Sequence, residues 1–257
     1  MGLFSRILNN VPRPLLIQLS YWVQPVSDLY FRGTKYTDPI NEKSYRKFLP
    51  YGYENLRPNA LAPGTLSLER HRLLWLYLRN SNFFNQESKV LHIAPEQCFI
   101  KRFKKLKNLD YTTTDLYSPI VDIKADICDL PFEDNSFDWV LCNHVLEHIQ
   151  DDRQAMREIL RILKPGGSAI LQIPMDYDLD KTYEDDRIIS REERAKHFGQ
   201  YDHVRLYGWD YFDRLASIGF EVYKEQPQTK LSEKQIEQYA LAENEVIPVV
   251  KKPHSQF

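Results

Sequence analysis

From residue 89 onward, short apolar segments alternate with amphipathic ones, and this alternation restricts the possible folds more than any other feature. The apolar segments of strand length are KVLHIA (89–94), LDYTTTDL (109–116), IVDIKAD (120–126), SFDWVLCNH (136–144), SAILQIP (168–174), FEVYKE (220–225) and VIPVVKK (246–252). Helices are predicted between several of them, at 98–106, 151–163 and 209–219. Such alternation predicts an α/β fold with a Rossmann-like, mostly parallel seven-stranded sheet covered by helices.

The segment before residue 83 has a different character. Residues 1–35 are apolar and predicted to be helical, and residues 36–66 contain four prolines and read as an irregular subdomain. Residues 67–80 form a predicted helix, with Ser67 as its cap. We therefore divide the chain into an N-terminal region, 1–82, and an α/β domain, 83–257.

The apolar run near the N-terminus, LLIQLSYWV, is too short to span a bilayer. We expect this helix to pack on its own protein, and peripheral membrane contact is the less favoured alternative. The formal net charge is −2, which gives no general electrostatic reason to bind nucleic acid. The three cysteines are few and form no CxxC pair, which favours a reducing, cytoplasmic location.

Acidic residues follow successive predicted strands. Asp115 ends the second strand about 20 residues after the first, where dinucleotide and nucleoside folds place the acid that binds ribose hydroxyls. Asp126 ends the third strand and could accept an adenine amino group, while Ile127 could cover the ring. The first strand runs into HIAPEQCF, which lacks the glycines that a pyrophosphate needs. S-adenosylmethionine carries no phosphate, and Glu96 is placed to bind its ammonium group.

The segment DICDLPFEDNSFDWVLCNHVLEHIQDDRQAMREILRILKPGGSAILQIP resembles the central part of class I SAM-dependent methyltransferases. The wider chain resembles a branch of that superfamily whose first motif is H-x-A-P-E instead of D-x-G-x-G. This resemblance extends through TYEDD, FGQYDHVRLYG and RLASIGFEV. It implies S-adenosylmethionine as cofactor, bound by residues at the strand ends: His92, Ala94, Pro95, Glu96, Asp115, Leu116, Asp126, Ile127, Asn143 and His144.

The resemblance also covers the N-terminal region, where relatives carry a small zinc ribbon with two C-P-x-C pairs. At the matching places this chain has DPIN (38–41) and APGT (62–65), so all four thiolates are missing. Zinc needs four good ligands in a tetrahedron, which Asp38, Asn41, Ala62 and Thr65 cannot supply. We expect a ribbon-like shape without zinc, held together by aromatic and leucine side chains.

Polar residues that could act on the acceptor lie in two further segments. HVLEH (144–148) supplies the candidate bases His144 and His148, or a capping residue and a buried histidine. It also matches the H-x-x-E-H zinc-protease pattern, but no third ligand is apparent, so no metal site is expected. GQYDHVRLYG (199–208) reads as a substrate-facing lid, with Gln200, Asp202, His203 and Arg205 as contacts and His203 as a possible base. An Asp202–Arg205 structural pair is the alternative.

The expected function is transfer of a methyl group to an oxygen or nitrogen of a small molecule or glycan. A non-catalytic module with the same fold, or a methyltransferase acting on protein or nucleic acid, remains the alternative.

Overall fold

The computed structural model describes residues 13–52 and 56–254 of the 257-residue chain. The helices are α1 (Arg13–Tyr30), α2 (Glu69–Arg79), α3 (Gln97–Phe103), α4 (Asp152–Ile162), α5 (Arg191–Phe198), α6 (Tyr211–Ile218) and α7 (Glu233–Tyr239). The strands of the N-terminal part are β1 (Arg32–Asp38), β2 (Lys43–Tyr45), β3 (Leu49–Tyr51) and β4 (Arg57–Leu61). The later strands are β5 (Ser88–Ile93), β6 (Leu109–Asp115), β7 (Ile123–Lys124), β8 (Phe137–Cys142), β9 (Leu163–Ile170), β10 (Tyr183–Glu184), β11 (Arg205–Leu206), β12 (Glu221–Glu225) and β13 (Ile247–Lys251).

The chain divides into two compact units. The first comprises residues 1–84, 97–101 and 226–245, and the second comprises residues 85–96, 102–225 and 246–257. The first unit is therefore discontinuous in sequence and draws on residues far beyond the predicted boundary at 82.

The second unit is built on a seven-stranded sheet with the order β12-β13-β9-β8-β5-β6-β7. The pairs from β9 to β7 are all parallel, whereas β13 runs antiparallel to both β9 and β12. This confirms the predicted mostly parallel, Rossmann-like sheet of seven strands. Its central strands are buried on both faces, which is why β5 and β8 are nearly continuous apolar runs.

Helix α4 shows how local sequence sets an element of this unit. The side chain of Asp151 accepts a hydrogen bond from the amide of Gln154 at 2.9 Å and caps the helix. Met156 and Ile159 lie on the predicted apolar face and are fully buried. The helix ends at Ile162, directly before the KPGG segment, and β9 begins at Leu163 and contains these residues. Its pairing with β8 is irregular there, and Gly166 has a φ of 77°, so glycine admits a local distortion within the strand.

The third predicted strand, 120–126, is shorter than expected. Only Ile123–Lys124 pair with β6, because the carboxylate of Asp122 instead accepts hydrogen bonds from the amide and hydroxyl of Thr113. These side-chain hydrogen bonds replace the backbone hydrogen bonds that would pair the start of the predicted strand with β6.

The first unit contains two antiparallel hairpins, β1–β2 and β3–β4, where the sequence predicted a helix up to residue 35 and irregular structure from residue 36. The short strands were not predicted because the segment contains four prolines, and proline cannot donate a backbone hydrogen bond to a β-ladder. Aromatic side chains fill the space beneath the first hairpin: Tyr36, Tyr45 and Phe48 are buried there together with Ala62. Aromatic packing was the expected source of cohesion, and the leucines of α2 add to the buried apolar surface of this unit.

Helix α2 begins differently from the prediction. Its cap is not Ser67: the amide of Leu68 donates to Nδ1 of His71 at 3.0 Å, while the hydroxyl of Ser67 donates to Asp38 at 3.3 Å. The side chain of Arg72 is fully buried and donates to four backbone carbonyl oxygens, those of Ala60, Ser67, Tyr239 and Ala240. Burial lowers the pKa of Arg72 to about 10, and the carbonyl oxygens satisfy its donors.

Two tight turns of the first unit are joined by a buried carboxylate. Each turn closes with a backbone hydrogen bond, from Glu42 to Asp38 at 2.8 Å and from Leu66 to Ala62 at 2.9 Å. The hydroxyl of Thr65 donates to the carboxylate of Asp38, which also accepts from the amide of Ile40 at 3.0 Å. Asp38 is fully buried, so these bonds replace the water that it loses.

Helix α1 exposes apolar side chains from residue 22 onward. Trp22, Val26 and Leu29 are 80%, 69% and 67% exposed. The predicted helix over residues 1–12 lies outside the described residues. Within residues 13–52 and 56–254, none of the helices combines the length and the apolar character needed to cross a bilayer.

Candidate functional site

The carboxyl ends of four adjacent strands bring the predicted cofactor residues together at one edge of the sheet. In the order β8-β5-β6-β7, the residues at or just beyond these ends are Asn143, Glu96, Asp115 and Asp126. Asp115 pairs with Lys124, two residues before Asp126, so the two acids end neighbouring strands. Ligands of open α/β sheets bind at this edge, outside the strand ends.

The turn after β5 has the left-handed backbone that glycine usually provides. Ala94 has a φ of 48°, and its amide donates to the carbonyl of Thr114 on β6 at 2.8 Å. Ala94 stands where the D-x-G-x-G pattern has its first glycine. Alanine tolerates this conformation at a cost of about 1–2 kcal/mol. The sharp turn that the missing glycines would have formed is therefore present.

Glu96 is held in a defined position by its neighbours. Its Oε2 lies 2.6 Å from Nε2 of His92, and its Oε1 accepts a hydrogen bond from the amide group of Asn143 at 3.1 Å. The other ring nitrogen of His92 lies 2.8 Å from the hydroxyl of Tyr111. Since His92 is fully buried, this chain of contacts fixes the Glu96 carboxylate between β5 and β8.

Asp115 and Asp126 share one arrangement. Oδ1 of Asp115 accepts from the amides of Tyr117 and Ser118 at 2.7 and 2.6 Å, and Oδ1 of Asp126 accepts from the amide of Cys128 at 2.9 Å. In the part of the chain that the structure describes, Oδ2 of each acid has no hydrogen-bond partner. Each carboxylate thus orders its own turn with one oxygen, and its other oxygen can still accept hydrogen bonds.

The apolar residues beside these acids differ in exposure. Ile127 is 5% exposed and belongs to the core cluster under α4, while Leu116 is 45% exposed. Leu116 is thus the more accessible of the two to a ligand at the strand ends.

Next to this edge lies a group of buried polar atoms without partners. Within the described residues, these are Oδ1 of Asn143, Nε2 of His144, Oε2 of Glu147 and both amide atoms of Gln172. A backbone hydrogen bond links two of these residues. The amide of His144, which has a φ of 54°, donates to the carbonyl oxygen of Gln172 at 2.7 Å. Unpartnered buried polar atoms are rare and costly, so this group indicates a site for a polar ligand or water.

His144 and Glu147 form a close pair. Nδ1 of His144 lies 3.4 Å from Oε1 of Glu147, whose side chain is only 1% exposed. Burial alone would raise the pKa of Glu147, but the hydrogen bond from His144 and the charges of His144 and His148 lower it below its usual value. Glu147 is therefore a buried carboxylate that stays ionised beside histidines.

The structure brings His203 to the HVLEH segment. The rings of His148 and His203 lie 4.9 Å apart at 77°, and one ligand atom from each of Glu147, His148 and His203 lies within 4.8 Å of the others. Desolvation lowers the pKa of His203, which favours the neutral ring. Gln200 and Asp202, the other predicted contacts of this segment, hydrogen-bond each other at 2.9 Å.

Arg205 is buried rather than presented to a ligand. It donates to Glu184 at 2.9 Å and to the carbonyl oxygens of Leu146, Ile149 and Gln150. The predicted alternative, a pair with Asp202, is replaced by this arrangement, and Arg214 completes it by donating to Glu184 at 2.8 Å. The guanidinium of Arg205 thus supports residues 146–150, which carry the histidines.

Four residues of this region were not identified as site residues from the sequence. Tyr111 and Gln172 sit within strands or just after them and look like ordinary strand residues. Glu184 lies in the TYEDD segment, to which the sequence alone assigns no role. Glu147 was seen only as part of a protease pattern, and its burial could not be inferred from its neighbours.

Residues 77–171 match the family model described as "Methyltransferase domain". Demethylmenaquinone methyltransferase from Clavibacter sepedonicus is 43% identical over 49 residues, which are 19% of this chain and 20% of that protein. A ubiquinone/menaquinone biosynthesis C-methyltransferase from Idiomarina loihiensis is 35% identical over 65 residues, 24% of this chain and 26% of that protein. The matches thus span about a fifth to a quarter of the length of these curated relatives.

Among solved structures, the [4+2]-cyclase SpnF superposes on 91% of this chain and 97% of its own, with a TM-score of 0.54 and 17% identity. This likeness shows the fold and nothing further. Residues 77–171 therefore carry a methyltransferase-domain match, and the chain has the Rossmann-like methyltransferase fold.

Proposed function

We propose that this chain binds S-adenosylmethionine at the carboxyl edge of its sheet and transfers the methyl group to an oxygen or nitrogen of a small molecule or glycan. The observation that carries the proposal is the continuous row of Asn143, Glu96, Asp115 and Asp126 along four adjacent strand ends. The methyltransferase-domain match covers all four residues.

The residues present fit this cofactor. The free Oδ2 atoms of Asp115 and Asp126 can accept hydrogen bonds from ribose hydroxyls and from the adenine amino group. Glu96 offers a fixed carboxylate to the ammonium group of the amino-acid tail. When bound, the cofactor supplies an electrophilic methyl group on a sulfonium, and no phosphate requires a glycine-rich turn.

The protein's own contribution to an oxygen or nitrogen acceptor is alignment and removal of a proton. His144 is placed for the second task, since its Nε2 is buried without a partner and its Nδ1 faces the carboxylate of Glu147. A proton on Nδ1 directed at Glu147 leaves the lone pair on Nε2 to accept the acceptor's proton. Glu147 then stabilises the imidazolium that forms. His203 and Arg205 have an indirect role, because they pack against the segment that carries His144 and Glu147.

Isothermal titration with S-adenosylhomocysteine tests the proposed cofactor site. We expect one site per chain in the full-length protein, and Asp115→Ala to weaken binding by at least about tenfold, as expected for a lost hydrogen bond to a charged group. Asp110→Ala is the matched control, because Asp110 lies on the same strand and is exposed. No binding at millimolar ligand, or equal affinity in both variants, would contradict the proposal.

An interaction module with this fold is the second class of function. It would bind no S-adenosylhomocysteine or transfer no methyl group, whatever acceptor is offered. Incubation with labelled cofactor and separate pools of small molecules, glycans, protein and nucleic acid distinguishes these outcomes. Label in the macromolecular pools alone would overturn the proposed acceptor class, while the cofactor site would stand.

We also propose that the first unit is a ribbon-like module in which hydrogen bonds take the place of zinc. In support, Asp38 and Thr65 stand at two of the four positions that the resemblance to zinc-ribbon proteins would assign to cysteines, and they are directly hydrogen-bonded. The proposal would be refuted if the purified protein contained zinc and this zinc were lost in Asp38→Ala but kept in variants of the second unit.

A further inference from the structure

Glu147, His148 and His203 converge on one point of the second unit. One ligand atom from each lies within 4.8 Å of the others, and Nε2 of His148 is 3.9 Å from Oε1 of Glu147. In the sequence, HVLEH lacked a third ligand. The fold supplies it from the segment before β11, because the amide of Val204 donates to the carbonyl of Glu147 at 2.9 Å and places His203 alongside.

Hydrogen bonds fix the tautomers of both rings. Nδ1 of His203 lies 3.0 Å from the carbonyl oxygen of Phe198, and Nδ1 of His148 lies 3.2 Å from that of Asp202. A carbonyl oxygen only accepts, so each Nδ1 carries a proton, and in the neutral tautomer of each ring the lone pair is on Nε2. Metal-binding histidines show this arrangement, in which a carbonyl or carboxylate orients the ring through its other nitrogen.

The third ligand is a buried carboxylate. The side chain of Glu147 is 1% exposed, and its Oε2 has no hydrogen-bond partner among the residues that the structure describes. A buried carboxylate oxygen without a partner is costly unless a cation or donor occupies the site.

From these observations we propose that Glu147, His148 and His203 bind a divalent transition-metal ion. Two imidazoles and one carboxylate suit zinc, cobalt or iron(II), whereas magnesium and calcium prefer oxygen ligands alone. Three protein ligands leave at least one coordination position for water or for an oxygen of a bound molecule, as in catalytic rather than structural zinc sites. The site goes beyond the proposed methyl transfer and does not depend on it.

The test uses the full chain after chelator treatment and removal of the chelator. Zn²⁺ alone is titrated calorimetrically, and Co²⁺ alone is followed by its visible absorption, which reports direct coordination by nitrogen and oxygen. We expect one ion per chain and a rise in the melting temperature on binding. Glu147→Gln keeps the shape of the side chain and should lower the affinity more than about tenfold.

His148→Ala is the second variant, since its ring is 30% exposed and its removal disturbs the core less than that of His203. His197→Ala on α5 is the matched control and should bind as the unchanged protein does. Melting curves without metal establish that each variant folds. Absence of a cobalt spectrum, or equal zinc affinity in Glu147→Gln, His148→Ala and the control, would overturn the site.

Discussion

The carboxylate of Glu96 lies 2.6 Å from Nε2 of His92, four residues earlier on the preceding strand. This contact and the bond from Asn143 hold the acid between the ends of β5 and β8. The motif H-x-A-P-E therefore works as a unit: the histidine positions the carboxylate, and the left-handed Ala94 turns the chain between them.

From this contact we predict that Glu96→Gln keeps the fold and loses cofactor affinity. Glutamine can still hydrogen-bond, but it carries no charge for an ammonium group, and hydrogen bonds to charged groups contribute about 1.5–3 kcal/mol. S-adenosylhomocysteine should bind more than about tenfold more weakly by calorimetry. Glu87→Gln, an exposed position just before β5, is the control. Unchanged affinity in Glu96→Gln would remove Glu96 from the site.

His144→Asn should separate chemistry from cofactor binding. Asparagine accepts the left-handed backbone of this position, so the turn after β8 should survive. If His144 accepts the proton, kcat on an oxygen acceptor should fall by about 10²–10⁴ while the affinity for S-adenosylhomocysteine stays within about twofold. A kcat that is unchanged would leave His144 with a structural role only.

The hydrogen bond between Thr65 and Asp38 should contribute measurably to the stability of the first unit. Thr65→Val keeps the volume of the side chain but leaves the buried carboxylate short of a donor. We expect a loss of about 1–3 kcal/mol in the free energy of unfolding, measured with urea. Thr112→Val on β6, whose hydroxyl has no part in this contact, serves for comparison. Equal stability of the two variants would show that the bond between the turns is unimportant.

Stability should depend on pH through Glu184. Burial would raise its pKa, but hydrogen bonds from Arg214 and Arg205 and their positive charges lower it below the ordinary value of 4.5. Its folded-state pKa is thus depressed, so its contribution is complete above 4.5 and is lost as the pH falls through the lower folded value. The difference in melting temperature between the unchanged protein and Glu184→Gln should therefore decrease as the pH is lowered below 4.5.

The effect of Glu184 should be modest and should weaken with added salt, because the carboxylate is 44% exposed. A difference in melting temperature that stays constant from pH 7 to pH 3 would contradict the assignment.

The sequence predicted well what depends on local order. Strand ends, and the acids that follow them, come from short-range patterns, and a parallel sheet necessarily aligns its carboxyl ends. The sequence alone therefore predicts that Glu96, Asp115 and Asp126 follow neighbouring strands, and the sheet order agrees. The amphipathic helix over 151–163 followed from the same kind of periodicity.

What could not be predicted depends on contacts between distant segments. His203 joins His148 only because the chain before β11 packs against residues 146–150, and Arg205 is buried by that same packing. The left-handed conformation of Ala94 also escaped prediction, since alanine by itself favours other backbone regions and the bond to Thr114 holds it there. The two hairpins of the first unit were hidden by their prolines.

The position of β13 has a consequence for how the protein is made. Among the described residues, β12 pairs only with β13, and residues 226–245, which lie between the two strands in sequence, belong to the first unit. During synthesis, residues 221–225 must therefore wait with an open edge until residue 251 has left the ribosome. Open strand edges invite pairing between chains. Interchain pairing is therefore most favoured while residues 226–251 are still being made.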